Sequence, residues 1–555
     1  MKMLNNSKVR RSLLVAAGCL SLVGAVASRQ VFSADMATAA AELPLSVRLS
    51  PSQYRQSIID IFGSSINITG RFEPETRTDG LLAVGANKAN VTDIGFERYD
   101  DLARGIAAQV VDERHRAALI PCKPKSAATA DDACARAFLS AVGRLLYRRP
   151  MTENEIAGQV KLAGETAAKT GDFFEGISTS LATMLVSPKF LFRYKTYEPD
   201  PAKPGQQRMT AYSKASQLSF LLWNSAPDDR LLQAAAKGEL HTKQGLFQQV
   251  DRLIYSPRLE AGVRSFFADM LQFSDFETVS KDSAFFPRYT LKVKEESVEQ
   301  TLRTITDHLI TRQGDYRDLF TTPNTFLTRS LAALYKVPLV ERTDNGQPQH
   351  WQPYSYQPGD PRSGILAQSS FVALHSPGGR SSPTSRGKAL RENILCQVVP
   401  PPPGNVDFKF IQDTSSPTHK TARQRLTAHA TEAMCTGCHK ITDPMGLALE
   451  NFDSSGSFRT AENGADIDTS GDLSGVKFDG PAGLFQALHD SPAVPACVAK
   501  RAFAFGAGRL PQTSDAQWTQ IEASFKDGKY NFVNLLRQIA LSDLFYSMPV
   551  QVAAK

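Results

Sequence analysis

The sequence predicts a mainly α protein built from several consecutive helical modules, with little β structure. Apolar residues recur at intervals of three and four positions in many segments, as at Phe138, Val142 and Leu145, which is the spacing of one helix face. Helix-capping signals and prolines separate these segments. At 555 residues the chain is also too long for a single hydrophobic core, so we expect more than one packed module.

The composition is that of an ordinary globular protein, with 42% hydrophobic and 21% charged residues. The formal charge of +7 is misleading, because Lys2, Lys8, Arg10 and Arg11 lie at the extreme N-terminus. Without these four, the 63 basic residues fall to 59, against 56 acidic residues. Binding to phosphate backbones needs a concentrated basic surface, so we expect no nucleic-acid partner.

The N-terminus has the pattern of a signal peptide. Residues 1–12 are basic, residues 13–27 are small and apolar, and Ala27 ends a suitable cleavage sequence. The apolar run is shorter than the roughly 20 residues of a membrane-spanning helix. We therefore predict export to the periplasm or the medium, with no transmembrane span once the signal is removed. Arg10-Arg11 loosely resembles a twin-arginine signal, which leaves the export route open.

The central motif is Cys435-Thr436-Gly437-Cys438-His439. Two cysteines separated by two residues and followed by histidine form the attachment pattern of a c-type haem. On one helical turn both thiols can reach the two vinyl groups of the porphyrin, and the imidazole reaches the iron. A zinc site would require a second Cys/His pair, and a thioredoxin-like pair would require a βαβ context; neither pattern is found. We predict one covalent haem c.

The remaining cysteines are suited to an oxidising compartment. If Cys19 leaves with the signal peptide and haem takes the two motif cysteines, Cys122, Cys134, Cys396 and Cys497 remain. We favour pairing Cys122 with Cys134, since they bracket one short polar loop, and Cys396 with Cys497 by elimination. Buried free thiols are the alternative.

Three ordered stretches of the C-terminal half resemble one protein family closely. They are RGKALRENILCQVVPPPPGNV, then CTGCHKITDPMGLALENFD, then IDTSGDL with FDGPAGLFQAL. The family comprises exported bacterial multi-domain proteins of unknown function with a planctomycete-type cytochrome c motif. The resemblance implies an exported protein of several helical modules that carries haem at its C-terminal motif. It does not supply a reaction.

These observations predict the order of modules along the chain. A first helix is expected over Val47–Ile61, and the haem helix is expected to start near Thr421, after a polyproline stretch at 400–404. The predicted regions are a signal peptide (1–27), an N-terminal helical module (41–117), a helical bundle (118–200), a helical module (207–340), a segment of loop, helix and polyproline (341–420), a cytochrome c-like haem region (421–480) and a C-terminal helical module (481–555).

His439 is the expected proximal iron ligand, and three residues are candidates for the opposite side. Met445 follows His439 on the same helix, so close spacing places it on the proximal side. His489 lies at a more suitable distance along the sequence, and His375 stands close to the Arg380 loop. An open or differently filled sixth position is an equal alternative.

Arg380 and Arg386 are candidate partners of the haem propionates, because a guanidinium pairs bidentately with a carboxylate. The alternative is a helix-capping loop with exposed charges. Asp443 and Glu450 are expected only to fix the turn after the haem helix. The run from Asp466 to Asp472 resembles a calcium loop superficially, but it lacks the final acidic residue of such a loop, so we predict a β-turn or a hairpin.

Three functions fit the sequence. The first is electron transfer through a covalent haem to a redox partner protein. The second is a haem-dependent oxidoreductase, of peroxidase or oxidase type, which acts on a small extracytoplasmic substrate; its motivation is the long chain before the haem motif. The third is a binding or scaffold protein in which haem is structural. The substrate, the reduction potential and the oligomeric state stay open.

Overall fold

Residues 45–340, 343–344, 347–401, 409–429 and 433–548 are described by a computed structural model of the chain. Helix accounts for 57% of the described residues and strand for 9%, and the strands form small two-stranded sheets. The predicted mainly α fold is therefore confirmed. The predicted signal peptide and most of the polyproline stretch lie outside the described residues. Within them, no helix is both long enough and apolar enough to cross a membrane.

The N-terminal part packs around one hydrophobic core. Its helices and strands are β1 (Leu45–Arg48), α1 (Pro51–Phe62), α2 (Leu82–Gly85), α3 (Asp93–Val111), α4 (Arg116–Leu119), α5 (Asp132–Leu146), α6 (Glu153–Thr170), α7 (Phe173–Leu185), α8 (Pro188–Leu191) and β2 (Phe192–Lys195). Tyr54, Phe138 and Leu181 are fully buried in this core. The first two predicted helical modules thus share one core.

Local capping signals explain where the helices of this core begin. Helix α6 begins with a capping box, in which Thr152 accepts from the backbone of Glu155, whose side chain accepts from Thr152 N–H. The prediction of a first helix from Val47 is wrong at its start. Ser50 is the N-cap and Pro51 the first helical residue, where a missing N–H costs nothing, and the residues before them form β1.

A second, larger core is built mostly from the rest of the chain, and it also takes in Ala83 and Val84 of α2. A small separate cluster contains Leu327, Leu331 and Tyr335. The helices and strands of this part begin with β3 (Tyr197–Pro199), β4 (Gln207–Met209), α9 (Ala211–Trp223), α10 (Asp229–Ala236), α11 (Lys243–Ile254), α12 (Leu259–Met270), α13 (Leu291–Thr306), β5 (Asn324–Leu327) and α14 (Arg329–Tyr335). Trp223 and Phe267 are buried here together with Trp518 from the C-terminal part. Residues far apart in sequence therefore share this core.

The remaining helices and strands include the segments around the haem motif. They are β6 (Thr343–Asp344), β7 (Gln347–Pro348), β8 (Gln352–Ser355), α15 (Ser369–Leu374), α16 (Pro383–Ala389), α17 (Lys409–Gln412), α18 (Ala422–His429), α19 (Ala433–Leu447), β9 (Ala461–Glu462), β10 (Ala465–Asp466), β11 (Ser470–Leu473), β12 (Val476–Asp479), α20 (Gly480–Asp490), α21 (Ala493–Ala507), α22 (Ala516–Asp527), α23 (Phe532–Leu541) and α24 (Asp543–Tyr546).

The segment 341–420, predicted as loop, helix and polyproline, also contains β6, β7 and β8, and β8 pairs with β5. The helix predicted to start near Thr421 begins at Ala422 as α18, and the motif lies on α19; residues 430–432, between these two, lie outside the described residues. The predicted turn or hairpin is confirmed: β11, which begins within the run that resembles a calcium loop, pairs antiparallel with β12.

Both favoured disulfides are confirmed. Cys122 is bonded to Cys134, and Cys396 is bonded to Cys497 over a separation of 101 residues. The second bond ties the segment after α16 to helix α21. Because Val399 and Pro400, three and four residues after Cys396, line the cavity described below, this disulfide lies close in sequence to the candidate site.

Candidate cofactor site

Helix α19 presents the motif residues at the start of its second turn. Cys438 carries a free thiol and is half-buried, with its sulfur 4.0 Å from the Pro400 carbonyl oxygen. His439 follows it and is mostly enclosed. Cys435 lies one helical turn earlier, and its side chain is outside the described residues. The helix therefore brings the three predicted attachment residues to one short stretch of surface.

Helix α16 crosses α19 at very short range, and glycines make this possible. A Cβ added at Gly387 would lie 1.9 Å from the Thr442 carbonyl oxygen, and one added at Gly446 would lie 1.8 Å from the Pro383 carbonyl oxygen. Only glycine fits at both positions. The crossing holds the Arg380–Ser385 loop and α16 against the motif helix.

A cavity of about 270 Å³ is lined by residues of both helices and of neighbouring segments, and both Cys438 and His439 line it. We call its larger apolar lining residues the apolar wall and its lining residues with hydroxyls and positive charges the polar wall. The apolar wall consists of Val399, Pro400, Ile411 and Leu426. The polar wall consists of Arg380, Ser381, Ser382, Thr384, Ser385, Lys388 and Arg425.

A second, more open cavity of about 730 Å³ lies on another flank of the motif helix. His439 and Leu426 line both cavities, so the imidazole stands where the two meet. Further residues of the open cavity are Arg423, Thr436, Lys440, Asp472, Lys477 and Phe478.

The side chain of His439 contacts the carboxylate of Asp443, a residue expected from the sequence only to fix the turn after the helix. Its Nδ1 lies 2.7 Å from Asp443 Oδ2, one helical turn further along α19. The other carboxylate oxygen, Oδ1, accepts hydrogen bonds from Thr384 Oγ1 at 2.8 Å and from Thr442 Oγ1 at 3.1 Å. Asp443 thus connects the motif histidine to helix α16.

Arg380 lies in the polar wall, as its predicted propionate role requires. Burial lowers the pKa of its guanidinium, and the nearby positive charge of Arg425 lowers it further. One Nη1–H donates to the Ser381 carbonyl at 3.2 Å. Arg425, which is not among the residues predicted from the sequence to bind haem, contributes a second guanidinium to this wall. It pairs with Glu462 at 2.7 Å.

Arg386 is placed differently from Arg380. It is fully buried, and its Nη atoms donate to the carbonyl oxygens of Leu449, Phe452 and Asp453 at 2.8–2.9 Å. It also pairs with Glu450 at 3.2 Å. The guanidinium of Arg386 therefore binds the chain that follows the motif helix.

Glu450 makes more contacts than its expected role in fixing the turn after the motif helix requires. It is buried, accepts from Ser381 Oγ at 2.7 Å and pairs with Arg459 at 2.9 Å as well as with Arg386. Because Ser381 belongs to the polar wall, its hydrogen bond to this buried cluster holds part of that wall in place.

The three predicted distal candidates lie elsewhere. Met445 is fully buried in the second hydrophobic core. His375 packs its ring against Phe371 with the ring centroids 4.8 Å apart. His489 contacts Asp490 at 2.7 Å and Asp318 at 3.1 Å. The described lining of the two cavities includes none of them, so the structure does not bring them together with His439.

Among the described residues, no group of three or more His, Cys, Asp or Glu side chains is arranged to hold a metal ion. The donors at the motif are instead those of a covalently attached haem, namely thiol and a single imidazole. The apolar wall suits a porphyrin face, and the guanidinium and hydroxyl groups suit carboxylates. The residues present therefore fit a haem.

Five family models match the chain. All are described as proteins of unknown function: DUF1587 over residues 48–112, DUF1595 over 134–194, DUF1592 over 209–337, DUF1588 (named PSCyt3) over 362–462 and DUF1585 over 474–545. These are planctomycete-type, cytochrome c-associated domains. The DUF1588 match contains α16, α19 and both walls of the smaller cavity. No curated protein and no solved structure matches the chain.

Proposed function

We propose that this chain is an extracytoplasmic redox protein that carries one covalent haem c and transfers electrons to a partner. The observation that carries the proposal is that Cys438 and His439 line one cavity with an apolar wall and a basic, hydroxyl-rich wall. The cytochrome c-associated domain that matches over this region supports the same assignment.

The attachment chemistry needs only the residues of the motif helix. The S–H bonds of Cys435 and Cys438 would each add across a vinyl double bond, forming a C–S bond while the proton goes to the neighbouring carbon. This addition is redox-neutral and needs no oxidant. His439 would donate the Nε2 lone pair to the iron. When bound, the haem would supply a one-electron couple.

The two walls have separate tasks. Val399, Pro400, Ile411 and Leu426 would exclude water from the ring, which keeps a low dielectric around the iron. Arg380 would bind a propionate from the polar wall, assisted by the nearby hydroxyl groups. Asp443 orients the imidazole of His439.

A haem-dependent enzyme is the second candidate, and the open cavity beside His439 favours it. Its volume of about 730 Å³ is in the range of small-molecule sites, and Lys440 and Lys477 supply polar groups. Binding of carbon monoxide to the reduced protein would favour the enzyme, because it requires an exchangeable ligand position. Failure to bind would favour the electron carrier.

The test is production of the full chain in a bacterium with a c-type haem maturation system. We expect haem to stay attached in a denaturing gel, with one haem per chain by the absorption of its pyridine complex. The C435S/C438S variant should lose the covalent haem. The matched control C122S/C134S, which removes the distant Cys122–Cys134 disulfide, should keep it. A wild-type chain that matures without covalent haem would overturn the proposal.

A further inference from the structure

We infer that Asp443, held by Thr384, is a positioning residue that sets the orientation and basicity of His439 and thereby lowers the reduction potential of the bound haem. This inference rests on the proposed haem site. It assigns a role to a carboxylate for which the motif pattern itself predicts none.

The His439–Asp443 contact has the geometry of a strong hydrogen bond. The two residues are four positions apart on α19, which places them on one face, and the Nδ1–Oδ2 distance is 2.7 Å. The side chains are only 11% and 10% exposed. Water therefore screens this interaction weakly, and its electrostatic effect on the imidazole is large.

The carboxylate is fixed from a second helix. Asp443 Oδ1 accepts from Thr384 Oγ1 on α16 at 2.8 Å and from Thr442 Oγ1 at 3.1 Å. Both carboxylate oxygens thus have partners, which leaves the group little freedom to rotate. The close glycine crossing between α16 and α19 fixes the position of Thr384 relative to Asp443.

The chemical consequence follows from the two nitrogens of imidazole. With Nδ1–H donating to a carboxylate, Nε2 carries the lone pair and is the nitrogen available to a metal. The carboxylate draws the Nδ1 proton towards itself and so raises the basicity of Nε2. A more basic ligand stabilises the higher charge of oxidised iron, and the reduction potential falls.

The test is redox titration of the haem-loaded full chain. In D443N, which is nearly isosteric but neutral, the ratio of reduced to oxidised haem at a fixed electrode potential should rise at least tenfold. For one electron this corresponds to about 59 mV. T384V removes one hydroxyl that fixes the carboxylate, so it should shift the ratio in the same direction by less. T384V also keeps the test available if D443N does not fold.

The charge control is D472N. Asp472 lines the open cavity near His439, and its Oδ1 accepts from the backbone of Gly475 at 3.0 Å. We expect D472N to shift the ratio by less than twofold. A D443N ratio within twofold of wild type, or a D472N shift equal to that of D443N, would overturn the inference.

The outcomes separate the two proposals. A wild-type chain without covalent haem contradicts both the haem site and the role of Asp443. A wild-type chain with covalent haem and no effect of D443N contradicts the role of Asp443 alone. A purely structural role of Asp443 predicts lower resistance to urea in D443N with an unchanged potential.

Discussion

Arg386 and His375 illustrate how partners decide the role of a residue. Arg386 is a predicted partner of a haem propionate, but its guanidinium binds three backbone carbonyls and Glu450. A buried guanidinium requires such compensation for its lost hydration. His375 lies beside this cluster, and burial together with the positive charge of Arg386 lowers the pKa of its imidazole to about 3. The same fold that buries the arginine therefore keeps this histidine neutral.

His375 is expected to make the protein sensitive to acid. Above about pH 6.5 it is neutral in both the folded and the unfolded chain. Between pH 6.5 and about pH 3 the unfolded chain takes up a proton and the folded chain does not, so stability falls as the pH falls. In H375Q, the loss of unfolding free energy between pH 7 and pH 4.5 should be smaller by roughly 1–3 kcal/mol.

Urea denaturation at the two pH values measures this difference. An equal loss in H375Q and in wild type would show that the acid sensitivity arises at other groups. Because the comparison is made between pH values, a uniform destabilisation by the substitution does not affect it.

At the scale of elements, the crossing of α16 and α19 organises the candidate site. It depends on Gly387 and Gly446, whose missing side chains let one helix touch the backbone of the other. The crossing brings Thr384 to Asp443, and the polar wall lines the same cavity as the motif cysteine. The feature of these two helices that shapes the candidate site is the short distance between them.

Substitution of Gly446 by alanine should force these helices apart. The added Cβ would lie 1.8 Å from a backbone oxygen, and overpacking of this kind costs about 1–3 kcal/mol or more. The matched control is G105A on α3, where a Cβ meets nothing within 4 Å and the helix preference of alanine gives up to about 1 kcal/mol of stability.

Urea unfolding of both variants provides the measurement. We expect the midpoint to fall in G446A and to stay equal or rise in G105A. A G446A midpoint equal to that of wild type would mean that the crossing can relax without cost, and the close approach would then not organise the site.

At the scale of the whole molecule, the two cores and the two disulfides join distant parts of the chain. The Cys396–Cys497 bond closes a separation of 101 residues, whereas Cys122–Cys134 closes one of 12 residues. A cross-link restricts the unfolded chain more when the loop is longer. The two bonds therefore differ in their expected contribution to stability.

Removal of the long-range bond should cost more than removal of the short one. By loop length alone, C396A/C497A is expected to lose about 4–5 kcal/mol of unfolding free energy and C122A/C134A about 3 kcal/mol. Urea unfolding without reductant measures both. The reverse order would indicate that strain or residual structure outweighs loop entropy in this chain.

The sequence by itself determined what depends on neighbouring residues: helix periodicity, the capping box at Thr152, the hairpin after residue 466 and the CTGCH spacing. The pairing of the two disulfides could also be predicted, from the number of cysteines and the short loop between Cys122 and Cys134. The Thr384–Asp443 and Arg386–Glu450 contacts, over 59 and 64 residues, were decided only by the tertiary structure. Their partners are chosen by packing between helices, and no local pattern encodes that choice. The contact between His439 and Asp443 spans only four residues of one helix and is local. The Thr384 hydroxyl that fixes the carboxylate is brought to it only by the tertiary structure.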